Sequence, residues 1–329
     1  MNSSMTTLEH VGSSPRWLAY LQLFRLPNVF TAIADVLMGY LVVHHAIGLA
    51  DTVPLLLLVL ASSLIYTAGM VLNDVFDYKV DCQLRPERPL PSGRIGRDQA
   101  RTLGLVMLLA GVVAAASSGW TGPATTLPWR GLTVGLALAA AVLLYDGVLK
   151  TTILAPPLMG LCRLLNVLLG MSCAGVEDVS AGLVMGFEEH QLLIAAGLGV
   201  YITGVTWYAR TEAEQSSRLA LAAACCVMMG GLGILAYLFP RSVPAGLWMT
   251  VDQAGLFIAL LSATVIYRSM LGVAEPTPQR VQAAVKRCIL SIILLDAAVI
   301  GILCPWYYAV AVLALLVPTL VMGRWLYST

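Results

Sequence analysis

Residues 53–81 read VPLLLLVLASSLIYTAGMVLNDVFDYKVD, an apolar run that ends in three aspartates. No charged side chain occurs between Val53 and Asn73. A helix needs roughly 20 mainly apolar residues to cross a bilayer, and this run is long enough. The stretch therefore predicts a membrane-spanning helix at 53–75 that carries a cluster of carboxylates at one membrane face.

The remainder of the chain is also strongly apolar. Of its 329 residues, 59% are hydrophobic and 11% are charged, whereas soluble domains have about 45–50% apolar and about 25% charged residues. The segment between Arg130 and Asp146 is short for a span, and Pro305 marks either a boundary or a kink, so the chain has nine or ten candidate spans. The ten candidates are 27–45, 53–75, 101–119, 129–147, 152–175, 190–210, 218–239, 250–270, 284–303 and 306–325.

These spans predict an all-α fold, a polytopic transmembrane helical bundle, because helices satisfy their own backbone hydrogen bonds in lipid. No linker separates soluble domains. Residues 17–329 are therefore expected to form a single transmembrane domain, preceded by a polar cytoplasmic tail at 1–16 that lacks the features of a cleaved signal peptide.

The distribution of basic residues predicts the orientation. With the N-terminus inside, 16 Lys and Arg residues fall in cytoplasmic segments, and only Arg130 and Arg241 fall in the opposite segments. By the positive-inside rule, we expect an integral multi-pass membrane protein with its N-terminus and acidic cluster on the cytoplasmic side. The net charge of +1 gives no indication of a nucleic-acid partner. The seven cysteines show neither metal-site spacing nor a disulfide framework.

The acidic cluster is suited to a hard cation. Asp74, Asp77 and Asp81 are spaced i, i+3 and i+7, so they share one face if the helix continues, and Asn73 adds an amide. Mg²⁺ binds carboxylate oxygens and commonly shares its coordination with substrate phosphates. The spacing therefore predicts a magnesium–diphosphate site, with a solvated helix end as the alternative.

The loop after the cluster supplies basic residues. Residues 85–94 read RPERPLPSGR, and their prolines and glycine indicate turns. Arg88 and Arg94 are candidates to bind phosphate oxygens in a forked geometry. Positive-inside topology alone is the alternative explanation for either arginine.

Together these motifs resemble those of a known family. The pattern Asn-Asp-x-x-Asp-x-x-x-Asp at 73–81, followed by Arg-Pro-Leu-Pro-Ser-Gly-Arg at 88–94, is similar to the first aspartate-rich motif of the UbiA prenyltransferase superfamily. The sequence Arg-Leu-Pro-Asn at 25–28 resembles that family's start. The resemblance implies a helical bundle with a central cavity that binds an isoprenyl diphosphate through Mg²⁺ and transfers the prenyl chain to an acceptor, often aromatic.

The resemblance also implies roles for individual residues. The three aspartates would bind magnesium, and Asp74 and Asp77 would be catalytic through it. Asn28 and Asn73 would contact the substrate. Tyr145 and Lys150, in the sequence YDGVLK, are similar to a family element in which the lysine contacts diphosphate and the tyrosine faces the cavity. A lysine that extends to the membrane interface is the alternative for Lys150.

A basic residue occurs inside the fifth predicted span. Arg163 and Asn166 are three residues apart and share a helix face. A charge at this depth normally faces the bundle interior and is paired, so both residues are candidate substrate contacts, with a structural ion pair as the alternative. Asp35 and Asp296 are the intramembrane acids available for the pair, and the sequence favours neither.

The end of the sixth span departs from the family pattern. Residues 207–215 read WYARTEAEQ and contain no Asp where active members carry a second aspartate-rich motif. Glu212 is the candidate replacement, while Glu214 lies about 200° away on a helix. The pattern resembles the EboC-like branch of the superfamily. It leaves a second hypothesis, a UbiA-like protein that binds or helps to move a lipid-like metabolite, and a third, an unrelated secondary transporter.

Overall fold

The computed structural model describes residues 16–121, 127–175, 184–210, 217–242 and 251–326. Within these ranges the fold is all-α, as predicted. Its helices are α1 (Arg16–Leu23), α2 (Leu26–His44), α3 (Thr52–Phe76), α4 (Tyr78–Leu84), α5 (Arg97–Thr121), α6 (Arg130–Leu144), α7 (Ala155–Met171), α8 (Glu189–Ala209), α9 (Arg218–Ser242), α10 (Val251–Ala274), α11 (Pro278–Leu303), α12 (Trp306–Leu313) and α13 (Leu316–Leu326).

Eight helical segments in the described ranges are long and apolar enough to cross a membrane. The α7 helix is apolar but has only 17 residues, and α11 has 26 residues that include charged side chains. Every predicted span coincides with one of these helices, the last with α12 and α13 together. Pro305 precedes α12 and is a helix boundary. The chain is therefore an integral multi-pass membrane protein. Of the predicted tail, residues 1–15 lie outside the described ranges, and Arg16 begins α1.

Small residues allow the helices around the centre to approach closely. A Cβ atom on Gly39 of α2 would lie 2.5 Å from the Val167 carbonyl oxygen of α7, and one on Gly170 would lie 2.5 Å from the Val36 carbonyl oxygen. Gly-mediated contact of this kind is a common way to pack helices in membranes. It places the polar residues of α2 and α7 side by side in the interior.

The polar segment 77–96 folds back against the end of α3. Leu90 and Ile95 are buried in a small cluster with Ala19 and Leu23 of α1 and Val75 of α3. Since burying these apolar side chains stabilises the segment, it is held over one end of the bundle. Its basic residues are thereby fixed next to the acidic end of α3.

Candidate active site

The three aspartates do not lie on one continuous helix, because α3 ends at Phe76 and α4 begins at Tyr78. Asp77 occupies the junction, so the condition for one shared acidic face, a continuous helix, is not met. Asp74 and Asp81 are nevertheless brought together by Arg88. Its Nη1 atom is 2.7 Å from Asp81 Oδ2 and 3.5 Å from Asp74 Oδ1.

A second arginine, Arg25, contacts the same carboxylate. Its Nη2 atom donates to Asp74 Oδ1 at 2.9 Å. Arg25 precedes α2 and has a left-handed backbone conformation with φ of 45°, which costs roughly 1–2 kcal/mol for a residue with a Cβ. The motif at 25–28 includes Arg25, but the sequence alone predicted no role for it. Its position as the only basic residue beside the Leu-Pro-Asn at the start of the first span was the available signal.

Lys150 and Asn73 connect the remaining aspartate, Asp77, to the segment between α6 and α7. The Lys150 ammonium group donates to Asp77 Oδ2 and, at 3.1 Å, to Asn73 Oδ1. Asn73 Nδ2 in turn donates to Asp146 Oδ1 at 2.8 Å. Residues 145–149 form a π-helical turn, a feature that often occurs at functional sites. Sequence reasoning did not select Asp146, although a buried acid beside the predicted Tyr145 and Lys150 was a usable signal.

A cavity of about 300 Å³ extends from this cluster into the bundle. Its walls come from α2, α3, α6, α7, α8 and α11. Arg25, Tyr145 and Asp146 lie at the end next to the aspartates, which we call the mouth. Asp74 and Asp77 do not line the cavity, but the polar contacts above connect them to residues that do.

Four of the predicted site residues line the cavity. They are Asn28, Tyr145, Arg163 and Asn166, and the last two lie at its deep end. Tyr66 is a further aromatic residue in the lining, whereas Phe76 and Trp207 lie outside it. These placements bring the mouth and the α7 residues into one site.

Arg163 is paired with Asp35. Its Nη1 atom lies 2.7 Å from Asp35 Oδ2, which also accepts a hydrogen bond of 2.8 Å from Asn166 Nδ2. The structure thus selects between the two acids that the sequence left open. Asp296 lies beside Asp35, and both acids are fully buried.

Arg94 is committed to the loop. It donates to Gln22 Oε1 at 3.0 Å, to the Glu87 carbonyl at 2.7 Å and to Ser92 Oγ at 3.0 Å. It does not line the cavity, so its contact with phosphate stays a prediction. Glu212 and Glu214 lie outside the described residues, and their roles stay predictions too. Ala209, at the end of α8, lines the cavity, so the segment 207–215, which differs from the family pattern, begins next to the site.

The chemistry of the mouth is compatible with magnesium. In the described ranges no three acidic, His or Cys side chains are grouped closely enough to hold a metal ion. Asp74, Asp77 and Asp81 are each paired with a basic side chain instead. Four carboxylates at the mouth, counting Asp146, face three cations. Their oxygens are the ligand type that Mg²⁺ prefers, and an anionic diphosphate would offer the cations another partner.

These features define a class of protein, a polytopic membrane protein with a mouth of paired acidic and basic side chains above a mainly apolar cavity. The chain belongs to the UbiA prenyltransferase family, whose model matches residues 32–269. This result confirms the resemblance of the aspartate-rich motif to that family.

Individual relatives are similar over shorter stretches. The chain is 40% identical over 95 residues to a digeranylgeranylglyceryl phosphate synthase of Sulfurisphaera tokodaii, which covers 29% of this chain and 34% of that protein. It is 38% identical over 128 residues to the protein of the same name from Sulfolobus acidocaldarius, which covers 39% and 42%. The chain thus spans less than half the length of these curated relatives.

Solved structures share the fold. A digeranylgeranylglyceryl phosphate synthase structure has a TM-score of 0.60 at 20% identity and covers 88% of this chain and 98% of that one. A UbiA homologue from Archaeoglobus fulgidus bound to GPP and Mg²⁺ has a TM-score of 0.58 at 14% identity and covers 90% and 99%. At these identities the likeness concerns the fold.

Proposed function

We propose that this protein is a membrane-embedded prenyltransferase that moves an isoprenyl group from a prenyl diphosphate to an aromatic or other small-molecule acceptor with Mg²⁺. One observation carries the proposal. Arg25, Arg88 and Lys150 converge with Asp74, Asp77 and Asp81 at the mouth of a mainly apolar cavity inside a membrane bundle. An anionic head and an apolar tail match these two environments.

The mouth would hold the diphosphate. Arg25, Arg88 and Lys150 would donate to its oxygens through charge-assisted hydrogen bonds. Asn73, which already links Lys150 to Asp146, would keep the lysine in position. Asp74, Asp77 and Asp81 would hold the metal ions, with Asn28 as a further contact at the cavity wall.

The reaction breaks the bond between the allylic carbon and the diphosphate oxygen. Bound Mg²⁺ would neutralise negative charge on the leaving diphosphate. Arg25, Arg88 and Lys150 would stabilise the same charge as it develops. Tyr145 lines the cavity at the mouth, where its ring face can stabilise the positive charge on the allylic carbon. The apolar walls would exclude water, so that the acceptor and not water attacks this carbon.

The relatives support this choice of reaction. Those named as digeranylgeranylglyceryl phosphate synthases share the family, and the Archaeoglobus fulgidus homologue binds GPP with Mg²⁺. We therefore propose isoprenyl diphosphates as donors. The positive-inside bias of the chain supports a mouth on the cytoplasmic side, and reporter fusions after Ser92 and after Arg241 would test that placement by their opposite accessibility.

Binding of radiolabelled geranyl diphosphate to the purified chain, with and without Mg²⁺, tests the proposal. Asp74→Asn and Asp77→Asn should each weaken Mg²⁺-dependent binding about 100-fold or more, because each removes a charge that the metal requires. Asp98→Asn is the matched control, since Asp98 is an exposed acid on the neighbouring helix α5. Binding that survives both substitutions would refute the site.

A second function is favoured by the altered motif at 207–215, which lacks aspartate. In this case the protein would bind or help to move a lipid-like metabolite without transfer. Incubation with labelled donor and a panel of acceptors separates the two. Release of diphosphate together with a prenylated product supports the transferase, whereas tight binding without release across the panel supports the binding protein.

A further inference from the structure

The cavity has two chemically different sides. The first, called the polar wall, consists of Thr31 on α2, Ser62 on α3, and Arg163 and Asn166 on α7. The second, called the apolar wall, consists of Ile202, Val205, Val285, Ile289 and Ile292 on α8 and α11. A prenyl tail needs only apolar contacts, which the apolar wall supplies. The polar wall is therefore expected to bind a different part of a ligand.

The hydroxyl and amide donors of the polar wall are already used within the protein. Ser62 Oγ donates to Asn166 Oδ1 at 2.6 Å, and Thr31 Oγ1 donates to the Asn28 carbonyl at 2.8 Å. Asn166 Nδ2 donates to Asp35 Oδ2 and to the Ala32 carbonyl. A hydroxyl or amide oxygen has two lone pairs. These three side chains therefore have oxygen lone pairs left for a ligand.

The wall has no positive charge to spare for an anion. Arg163 is neutralised by Asp35, and Asp296 adds a second fully buried carboxyl group beside it. No group in the described residues donates a hydrogen bond to Asp296 or to Asp35 Oδ1. A phosphate or carboxylate would bring an unpaired negative charge into this buried region, which is costly.

One donor at the wall is unused. Arg163 Nε has no hydrogen-bond partner in the described residues. The Arg163 side chain is 91% buried and is part of the cavity lining. A buried N–H without a partner is unfavourable, because it has lost its hydrogen bonds to water. A ligand that both donates to the oxygens and accepts from this nitrogen would satisfy all of them. A hydroxyl group does both.

We propose that the polar wall binds an uncharged, hydroxyl-bearing head group of the acceptor. This inference rests on the proposed transferase function. Thr31 is six residues beyond Arg25, which corresponds to a depth of about 9 Å along a helix. That distance leaves room for a ring or a short chain between the atom that attacks near Tyr145 and a hydroxyl at the wall. The acceptor is thus an alcohol or phenol with a second, more deeply placed hydroxyl.

Paired probes test the charge preference. The full chain is loaded with Mg²⁺ and the unreactive thiolo analogue of geranyl diphosphate, and calorimetry measures binding of hydroquinone against 4-hydroxybenzoate, and of 1-O-octylglycerol against its phosphate ester. In at least one pair the neutral probe should bind 10-fold or more tightly than its anionic partner. Equal affinities, preference for the anions, or no binding by either neutral probe would overturn the inference.

Two substitutions test the wall itself. Thr31→Val and Ser62→Ala each remove one hydroxyl group. Each should weaken binding of the tighter-binding neutral probe roughly 3- to 10-fold, the range for one lost hydrogen bond. Ser63→Ala and Thr67→Val are matched controls, because these hydroxyls bond to backbone carbonyls of α3 and do not line the cavity. Unchanged affinity in both wall variants would overturn the inference.

Affinity for the donor analogue separates this inference from the proposed function. Wall variants that fold should still bind the analogue within about twofold of the native chain, which also serves as the folding control. If the native chain fails to bind the analogue with Mg²⁺, the proposed function itself fails. If it binds the analogue but the wall variants do not alter probe affinity, only the acceptor inference fails.

Discussion

The mouth and the deep end of the cavity both contain ion pairs, but the two regions differ in their exposure to solvent. At the mouth the basic side chains of Arg25, Arg88 and Lys150 are 28%, 23% and 32% exposed, and Asp77 is 30% exposed, while Asp74 and Asp81 are buried. In the deep pair Arg163 is 9% exposed and Asp35 is fully buried. Exposed pairs contribute little stability and exchange partners readily, whereas a buried pair is expensive to break. The mouth is therefore suited to charge exchange with a diphosphate, and the deep end to fixed recognition.

The largest expected effect is on the deep pair. Arg163→Leu leaves the buried Asp35 without a counter-charge and should lower the free energy of unfolding by about 3–5 kcal/mol. Denaturant unfolding in detergent measures the change. Lys150→Met is the comparison at the mouth, because Lys150 and its partner Asp77 are 32% and 30% exposed, and it should cost under about 1 kcal/mol. Equal losses in the two variants would contradict the contrast between the regions.

The next effect concerns donor binding at the mouth. Lys150→Met keeps the length of the side chain but removes its charge, and should weaken binding of the Mg²⁺–geranyl diphosphate complex about 10-fold, the value of one charge-assisted hydrogen bond. Filter binding with labelled donor measures it. Lys79→Met is the control, because Lys79 is exposed on α4. If both variants bind donor equally well, Lys150 does not contact the diphosphate.

Arg25 allows its backbone strain and its charge to be separated. Arg25→Gly and Arg25→Ala both lose the contact with Asp74, but only alanine keeps the penalty of the left-handed conformation at φ of 45°. The glycine variant should be more stable than the alanine variant by about 1 kcal/mol, while both should lose donor affinity to the same extent. Equal thermal stabilities would show that the left-handed conformation costs nothing here.

The smallest effect is the response to salt. Raising NaCl from 0.05 to 0.5 M should weaken donor binding a few-fold, since charges near solvent are screened over about 10 Å at 0.1 M ionic strength. Binding of the neutral probe at the polar wall should change less than donor binding. Parallel titrations of both ligands provide the measurement. A larger salt effect on the neutral probe would reverse the assignment of charge to the two regions.

Much of the mouth could be predicted because its signal is local. Asp74, Asp77, Asp81 and Arg88 lie within 15 residues of one another, so their spacing already suggested a shared site. The interruption of the helix at Asp77 could not be predicted in this way, because α-helical spacing is compatible with a continuous helix and with a break. Arg25 was missed for a related reason, since it is 49 residues from its partner Asp74.

The sequence by itself determined the membrane class, the position of every predicted span and the family, because apolar length and short motifs depend on neighbouring residues only. The tertiary structure decided which acid neutralises Arg163, how Asn73 joins Asp146 to Lys150, and that polar residues of α2, α3 and α7 line the same cavity as apolar residues of α8 and α11. These contacts join residues more than 70 positions apart, and they depend on how closely packed helices align their faces, which hydropathy and spacing do not encode.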